Sequence, residues 1–203
     1  MLAIVDYGVG NLFSLKSSLS ALNVQTAVTG DPEILAQADR IILPGVGAFA
    51  DAAAKLQQSG LDRVLTDLAA NGKPLLGICL GMQLLFEKSY EYGEHWGLGL
   101  LKGEIKPISA LIPPNLKIPH MGWNGLKFTR PEHPLFRHIK EGDHVYFVHS
   151  YAAVNCEASV IATAEYGAGL TAAVASGNIM GCQFHPEKSG QVGLNILQAF
   201  CAI

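Results

Sequence analysis

Short apolar runs alternate with stretches of helical spacing through the first ninety residues, and strand-like runs dominate afterwards. Leu2 to Val5 is wholly apolar and reads as a buried strand, followed by a tight loop from Asp6 to Gly10. Apolar positions between Leu12 and Leu22 recur at helical intervals, and Asn11 is placed to cap that helix. Arg40 to Leu43 predicts a second strand, ending in Pro44-Gly45-Val46-Gly47. Leu56, Leu61, Val64, Leu65 and Leu68 put Phe49 to Ala70 on helix, with a break at Gly60. Pro74 to Ile78 predicts a further strand, and Met82 to Lys88 continues as helix.

Beyond Tyr90 the pattern changes. Val145–Val148, Val160–Thr163, Leu170–Val174 and Ile179–Phe184 are short strand-like runs separated by Gly, Pro and Asn, and Val192 to Phe200 predicts a closing helix. Pro119 to Asn124 reads as a Gly/Pro-rich loop. Strand–helix alternation followed by antiparallel-looking strands predicts an α/β fold: a mixed, largely parallel central sheet with helices on both faces. No repeat, low-complexity tract or linker interrupts the pattern, so residues 1–203 are expected to form one domain.

Composition narrows the class. Of 203 residues, 49% are hydrophobic and only 15% charged, which suits a buried sheet rather than a disordered chain. The net charge of −3 gives no support for nucleic acid or an anionic membrane as partner. Four cysteines without paired spacing (79, 156, 182 and 201) indicate neither a zinc site nor a disulfide framework. Free thiols and the lack of a leader-like or membrane-spanning run predict a soluble cytoplasmic protein. The histidines lack metal-ligand spacing, so no metal is expected, and Phe13 stands where a dinucleotide fingerprint needs its third glycine.

The candidate chemistry centres on Gly77-Ile78-Cys79-Leu80-Gly81. A cysteine between glycines, after a strand and before a helix, is built like a nucleophile elbow, and free N–H groups at a helix start favour an anion there. Alone, the pentad also fits a structural cysteine. His185-Pro186-Glu187 supplies the complement: proline pushes His185 into extended backbone, where residues two apart share a side. Glu187 can then fix the tautomer of His185 and turn the other ring nitrogen toward a nucleophile. The three residue types form an acyl-transfer triad of nucleophile, base and orienter. In the Pro44–Gly47 loop, Gly45 and Val46 are placed to offer backbone N–H to an oxyanion, with the N–H of Leu80 as second donor. By itself that loop reads first as an ordinary strand-to-loop turn. His149 and Ser150, at the end of a strand, are placed to line the cleft, and Trp123 fits either a core position or a partner anchor.

Gly77-Ile78-Cys79-Leu80-Gly81-Met82-Gln83 and Gln183-Phe184-His185-Pro186-Glu187 resemble the motifs of the class I (triad-type) glutamine amidotransferases. Asp6–Asn11, Leu43–Phe49, Pro119–Asn124 and Phe147–Tyr151 narrow the resemblance to the glutaminase subunits of imidazole glycerol phosphate synthases. The resemblance implies that Cys79 attacks the side-chain amide of glutamine with His185 as acid and base, without a cofactor. It implies glutamine binding by Gly45, Gly47, Gln83, Glu91, Ser150 and Tyr151. It further implies a heterodimer with a (β/α)₈-barrel cyclase subunit that receives the ammonia, with Asn11, Trp123, Tyr146 and Lys188 at the interface. Three other readings are a glutaminase for a different synthase, in which the Pro119–Asn124 segment is not expected, a free-standing cysteine hydrolase, which would turn over vigorously without a partner, and a non-catalytic interaction protein, which would form no thioester.

Overall fold

The computed structural model describes residues 1–203. Its strands are β1 (Leu2–Val5), β2 (Thr26–Thr29), β3 (Arg40–Leu43), β4 (Leu75–Ile78), β5 (Phe86–Ser89), β6 (His95–Trp96), β7 (Leu101–Pro107), β8 (His120–Phe128), β9 (His144–His149), β10 (Tyr151–Val154), β11 (Val160–Glu165), β12 (Gly169–Ser176) and β13 (Ile179–Cys182). Its helices are α1 (Leu12–Ala21), α2 (Pro32–Gln37), α3 (Phe49–Ser59), α4 (Leu61–Ala70), α5 (Leu80–Leu84) and α6 (Gly190–Cys201).

Nine strands form the main sheet in the order β2-β1-β3-β4-β13-β12-β11-β8-β9. From β2 to β13 neighbouring strands run parallel, and from β13 to β9 they run antiparallel. β10, β7, β5 and β6 make a second, smaller sheet. Side chains of β1 alternate between two cores, Leu2 and Ile4 on one face and Ala3 and Val5 on the other, as the two-residue strand period requires. Leu15 and Leu19 of α1 and Ile196, Leu197 and Phe200 of α6 fill the first core. Leu35 of α2, Leu56 of α3 and Leu61 and Leu65 of α4 fill the second. The expected mixed sheet with helices on both faces is therefore present, and no helix is long and apolar enough to cross a membrane.

Local chemistry explains several boundaries. The Asn11 side chain accepts from the N–H of Ser14, capping α1 as expected. Gly60 adopts φ 72°, which breaks the Phe49–Ala70 stretch into α3 and α4. Two expectations are corrected. The helix expected over Met82–Lys88 ends at Leu84, and Phe86–Ser89 is a strand; Phe86 and Ser89 are buried, with exposed Glu87 and half-buried Lys88 between them, against β6 and β7. The loop expected over Pro119–Asn124 is largely strand: His120 to Gly125 pair in register with β9. Glycine at position 122 masks the polar–apolar alternation there.

Parallel pairing decides where chemistry can happen. β3, β4 and β13 are adjacent, with Leu43 level with Gly77 and Ile78 level with Cys182. Their C-terminal ends therefore open on one crevice, the usual site position in such sheets. The Pro44–Gly47 loop leaves β3 there, Cys79 leaves β4, and Gln183 to His185 leave β13.

Candidate active site

The elbow is as tight as its glycines require. Cys79 holds φ 54° and ψ −111°, a conformation rare for a residue with a side chain, at the head of α5. Its N–H donates to the Cys182 carbonyl at 2.8 Å, tying the elbow to β13. A methyl group on Gly77 would lie 2.6 Å from the Gly81 carbonyl oxygen, and one on Gly81 would overlap the Leu43 carbonyl. Both positions are glycine because backbone passes over backbone, leaving the cysteine between them.

His185 lines the same cavity as Cys79, and its Nδ1 is 2.8 Å from Glu187 Oε1. The fold thus brings Cys79, His185 and Glu187 together at one cavity. Burial opposes a charged imidazole, but the contacts with Cys79 and Glu187 outweigh it and raise the His185 pKa to about 9. The backbone of His185 is clamped as well. Its N–H donates to the Tyr146 carbonyl, and Ser189 Oγ donates to its carbonyl while accepting from the Tyr146 N–H.

A cavity of about 340 Å³ opens in front of the sulfur, of a size suited to a small metabolite. Val46, Gly47, Leu80, Gln83, Glu91, Ser150, Tyr151 and Lys188 line it together with Cys79, His185 and His149. Gly45 is set back from that wall. It packs against α5, where a methyl group would come within 2.7 Å of the Gly81 nitrogen, and borders a narrow gap with Asn11 and Glu187. The N–H groups of Gly45, Val46 and Gly47 donate to no backbone carbonyl, so they remain free for a ligand. Tyr146 and Trp123 meet edge to face at 5.9 Å on β8 and β9, beside the clamp that holds His185.

Tyr7 and Gln183 were not singled out from sequence, and Glu91, expected at the glutamine site, makes a further contact. Tyr7 is buried and donates to the Pro44 carbonyl at 2.8 Å; burial first, then the charge of Cys79, keep it a neutral phenol. Glu91 Oε2 accepts from the N–H of Phe49 at 2.6 Å. The Pro44–Gly47 loop is therefore pinned at both ends, and Glu91 keeps one oxygen for other partners. Gln183 is fully buried, with its amide nitrogen 3.7 Å from the Cys79 sulfur. A polar residue closing a wholly apolar strand is the sequence signal for it.

His149 and His120 carry a buried relay behind the Tyr151 wall. His149 Nδ1 lies 2.8 Å from the Tyr151 carbonyl, the two rings meet at 2.9 Å, His120 Nε2 is 2.8 Å from the Asn124 side chain, and Asn124 reaches the Glu165 carbonyl. Burial lowers both histidines, His149 to about 4, so both are neutral at neutral pH. Two neutral rings and one amide bring three protons to these four contacts, so one contact has no donor. The exposed Asn124 end is the cheapest place for it, because water serves there. Burial also pushes the thiols of Cys156, Cys182 and Cys201 up, which keeps them protonated and unreactive beside Cys79.

A strained cysteine elbow, a carboxylate-backed histidine and a glycine loop at the ends of three parallel strands define a class I glutamine amidotransferase. The family model for glutamine amidotransferase class-I matches residues 3–202, and the chain belongs to that family. Its relatives include the imidazole glycerol phosphate synthase subunit HisH of Lactiplantibacillus plantarum, 52% identical over 98% of this chain and 94% of that protein. The protein of the same name from Sulfurimonas denitrificans is 50% identical over 98% and 97%. Among solved structures, PurLQS from Thermotoga maritima superposes with a TM-score of 0.77 at 21% identity, covering 99% of this chain and 97% of that one. The glutaminase domain of CTPS from Trypanosoma brucei gives 0.68 at 16%, covering 99% and 93%. These structural likenesses show the fold.

Proposed function

We propose that this protein is the glutaminase subunit of an imidazole glycerol phosphate synthase, releasing ammonia from glutamine for histidine biosynthesis. The observation that carries the reading is the meeting of Cys79 with a His185 that is itself bonded to Glu187, inside a cavity of metabolite size. The Cys79 thiolate attacks the side-chain carbonyl carbon of glutamine, and the displaced electron pair moves to oxygen. N–H groups of Gly45 or Val46 and of Leu80 receive that oxyanion. As the C–N bond breaks, His185 hands its proton to the departing nitrogen and ammonia leaves a γ-glutamyl thioester. His185 then takes a proton from water, hydroxide adds to the thioester carbon, and the thiolate is expelled with glutamate. Glu187 holds the imidazole in the tautomer both steps need.

Gly47, Gln83, Glu91, Ser150 and Tyr151 hold the glutamine, with the free oxygen of Glu91 suited to its α-ammonium. Gly45 contributes backbone rather than a wall of the pocket. Ammonia released into water near neutral pH becomes ammonium and loses its nucleophilicity, so the product is best handed directly to a docked (β/α)₈-barrel cyclase subunit. There it completes imidazole glycerol phosphate and an aminoimidazole carboxamide ribotide. Asn11, Trp123, Tyr146 and Lys188 form the docking face around the mouth of the site. The relatives' shared name, a subunit of that synthase, supports this partner.

The test is glutaminase turnover with and without the cyclase partner and its nucleotide. Strong stimulation by the liganded partner is expected, and equal turnover by the isolated chain would favour a free-standing hydrolase. Cys79→Ala should lose glutamine-dependent synthesis yet keep ammonia-dependent synthesis at raised pH.

A further inference from the structure

The buried amide of Gln183 touches the nucleophile, yet the reaction as drawn gives it no task. It has no exposed surface and directly follows β13. Proton counting fixes its orientation. The Tyr151 carbonyl can only accept, and Gln83 Nε2 lies 3.1 Å from it. The same nitrogen is 3.0 Å from the Gln183 side chain, which must therefore present its oxygen to Gln83. That leaves the Gln183 nitrogen facing the Cys79 sulfur. Both N–H groups of Gln83 are spent on these two acceptors, so neither amide can turn over without losing bonds in a buried place.

We infer that Gln183 is a catalytic residue: its N–H donates to the Cys79 sulfur, holding the thiolate for attack and receiving it again when the thioester breaks. A thiol accepts a hydrogen bond weakly and a thiolate strongly, so the contact favours the state in which the charge is on sulfur. His185 supplies the proton traffic, while Gln183 supplies a donor that never gives its proton away. The same contact assists expulsion of the thiolate, because negative charge returns to sulfur in that step. The role in turnover rests on the glutaminase reading; the contact with sulfur does not.

The experiment is iodoacetamide alkylation of Cys79 across pH, with the Cys79→Ala protein as background, alongside glutaminase assays of the complex. In Gln183→Leu, alkylation at neutral pH should fall about tenfold and recover as pH is raised. The γ-glutamyl thioester should also accumulate during turnover. Gln183→Glu keeps the side-chain volume and the acceptor for Gln83 but turns an oxygen toward the sulfur. It should fold even where the leucine variant does not, and it should alkylate at least as slowly as that variant. Wild-type alkylation profiles in folded Gln183→Glu would overturn the inference. A slowed profile in a chain whose wild-type complex shows no glutaminase turnover would instead overturn the reaction and leave the contact standing.

Discussion

At the scale of single residues, His185 is governed by a contest between burial and its two neighbours. Burial drives an imidazole toward neutrality, but the hydrogen bonds and charges of Cys79 and Glu187 hold the proton to a pKa of about 9. Its folded value lies above its unfolded value of about 6.5. The stabilisation is therefore complete below about 6.5 and is lost as pH rises through about 9. Glutaminase activity of the complex should fall over that upper limb, which a pH–rate profile reads directly. His185→Ala should cost on the order of 10³-fold or more in kcat, and Glu187→Gln about tenfold less than that, because an orienter is more dispensable than the base. Equal losses in the two variants would contradict the roles. The triad was legible in the sequence because each member sits in a motif whose spacing states its geometry. Gln183 and Tyr7 were not, since their importance comes from partners distant in the chain, Cys79 and the Pro44 carbonyl.

At the scale of elements, the elbow and the histidine relay are the two devices whose stability can be measured. Gly81 cannot carry a side chain because the Leu43 carbonyl occupies the space, whereas Gly60 has φ 72° and open surroundings. Gly81→Ala should destabilise the fold by about 3 kcal/mol or more. Gly60→Ala should cost only about 1–2 kcal/mol, the strain of left-handed backbone alone. Denaturant titration of both variants separates the two cases. In the relay, burial depresses His149 to about 4, below its unfolded value. Stability from keeping it neutral is present above about 6.5 and is lost as pH falls through about 4, a difference of roughly 3 kcal/mol. The chain should therefore lose stability across that acid window, and His149→Asn should flatten the dependence. Helices with clean spacing, such as α1, α3 and α4, were readable in advance, as were the buried strands β1 and β3. β5 was misread because Phe86 continues the apolar run of α5, and β8 because glycine interrupts its alternation. In both places tertiary pairing outweighs local pattern.

At the scale of the molecule, the fold's contribution is to bring three strand ends to one place. The sequence shows a nucleophile in the first half and its base near the end, but nothing local says that β13 inserts beside β4. Once it does, parallel register sets Ile78 level with Cys182, so Cys79 leaves β4 where Gln183 leaves β13, with His185 two residues further on, and the antiparallel half of the sheet carries the Tyr146–Trp123 pair to the rim. Half-exposed Trp123 is a large apolar group on the face proposed above for docking. Trp123→Ala should weaken association with the cyclase partner about tenfold or more, read by titration of one protein with the other.

The most direct measurement is intact-protein and peptide mass spectrometry of the complex, quenched in acid while it turns over glutamine. A mass increment of one γ-glutamyl group on the peptide that contains Cys79, absent from Cys79→Ala, is the predicted result. Glutamate formation with no adduct on that cysteine, or with the adduct on Cys156, Cys182 or Cys201, would contradict the mechanism.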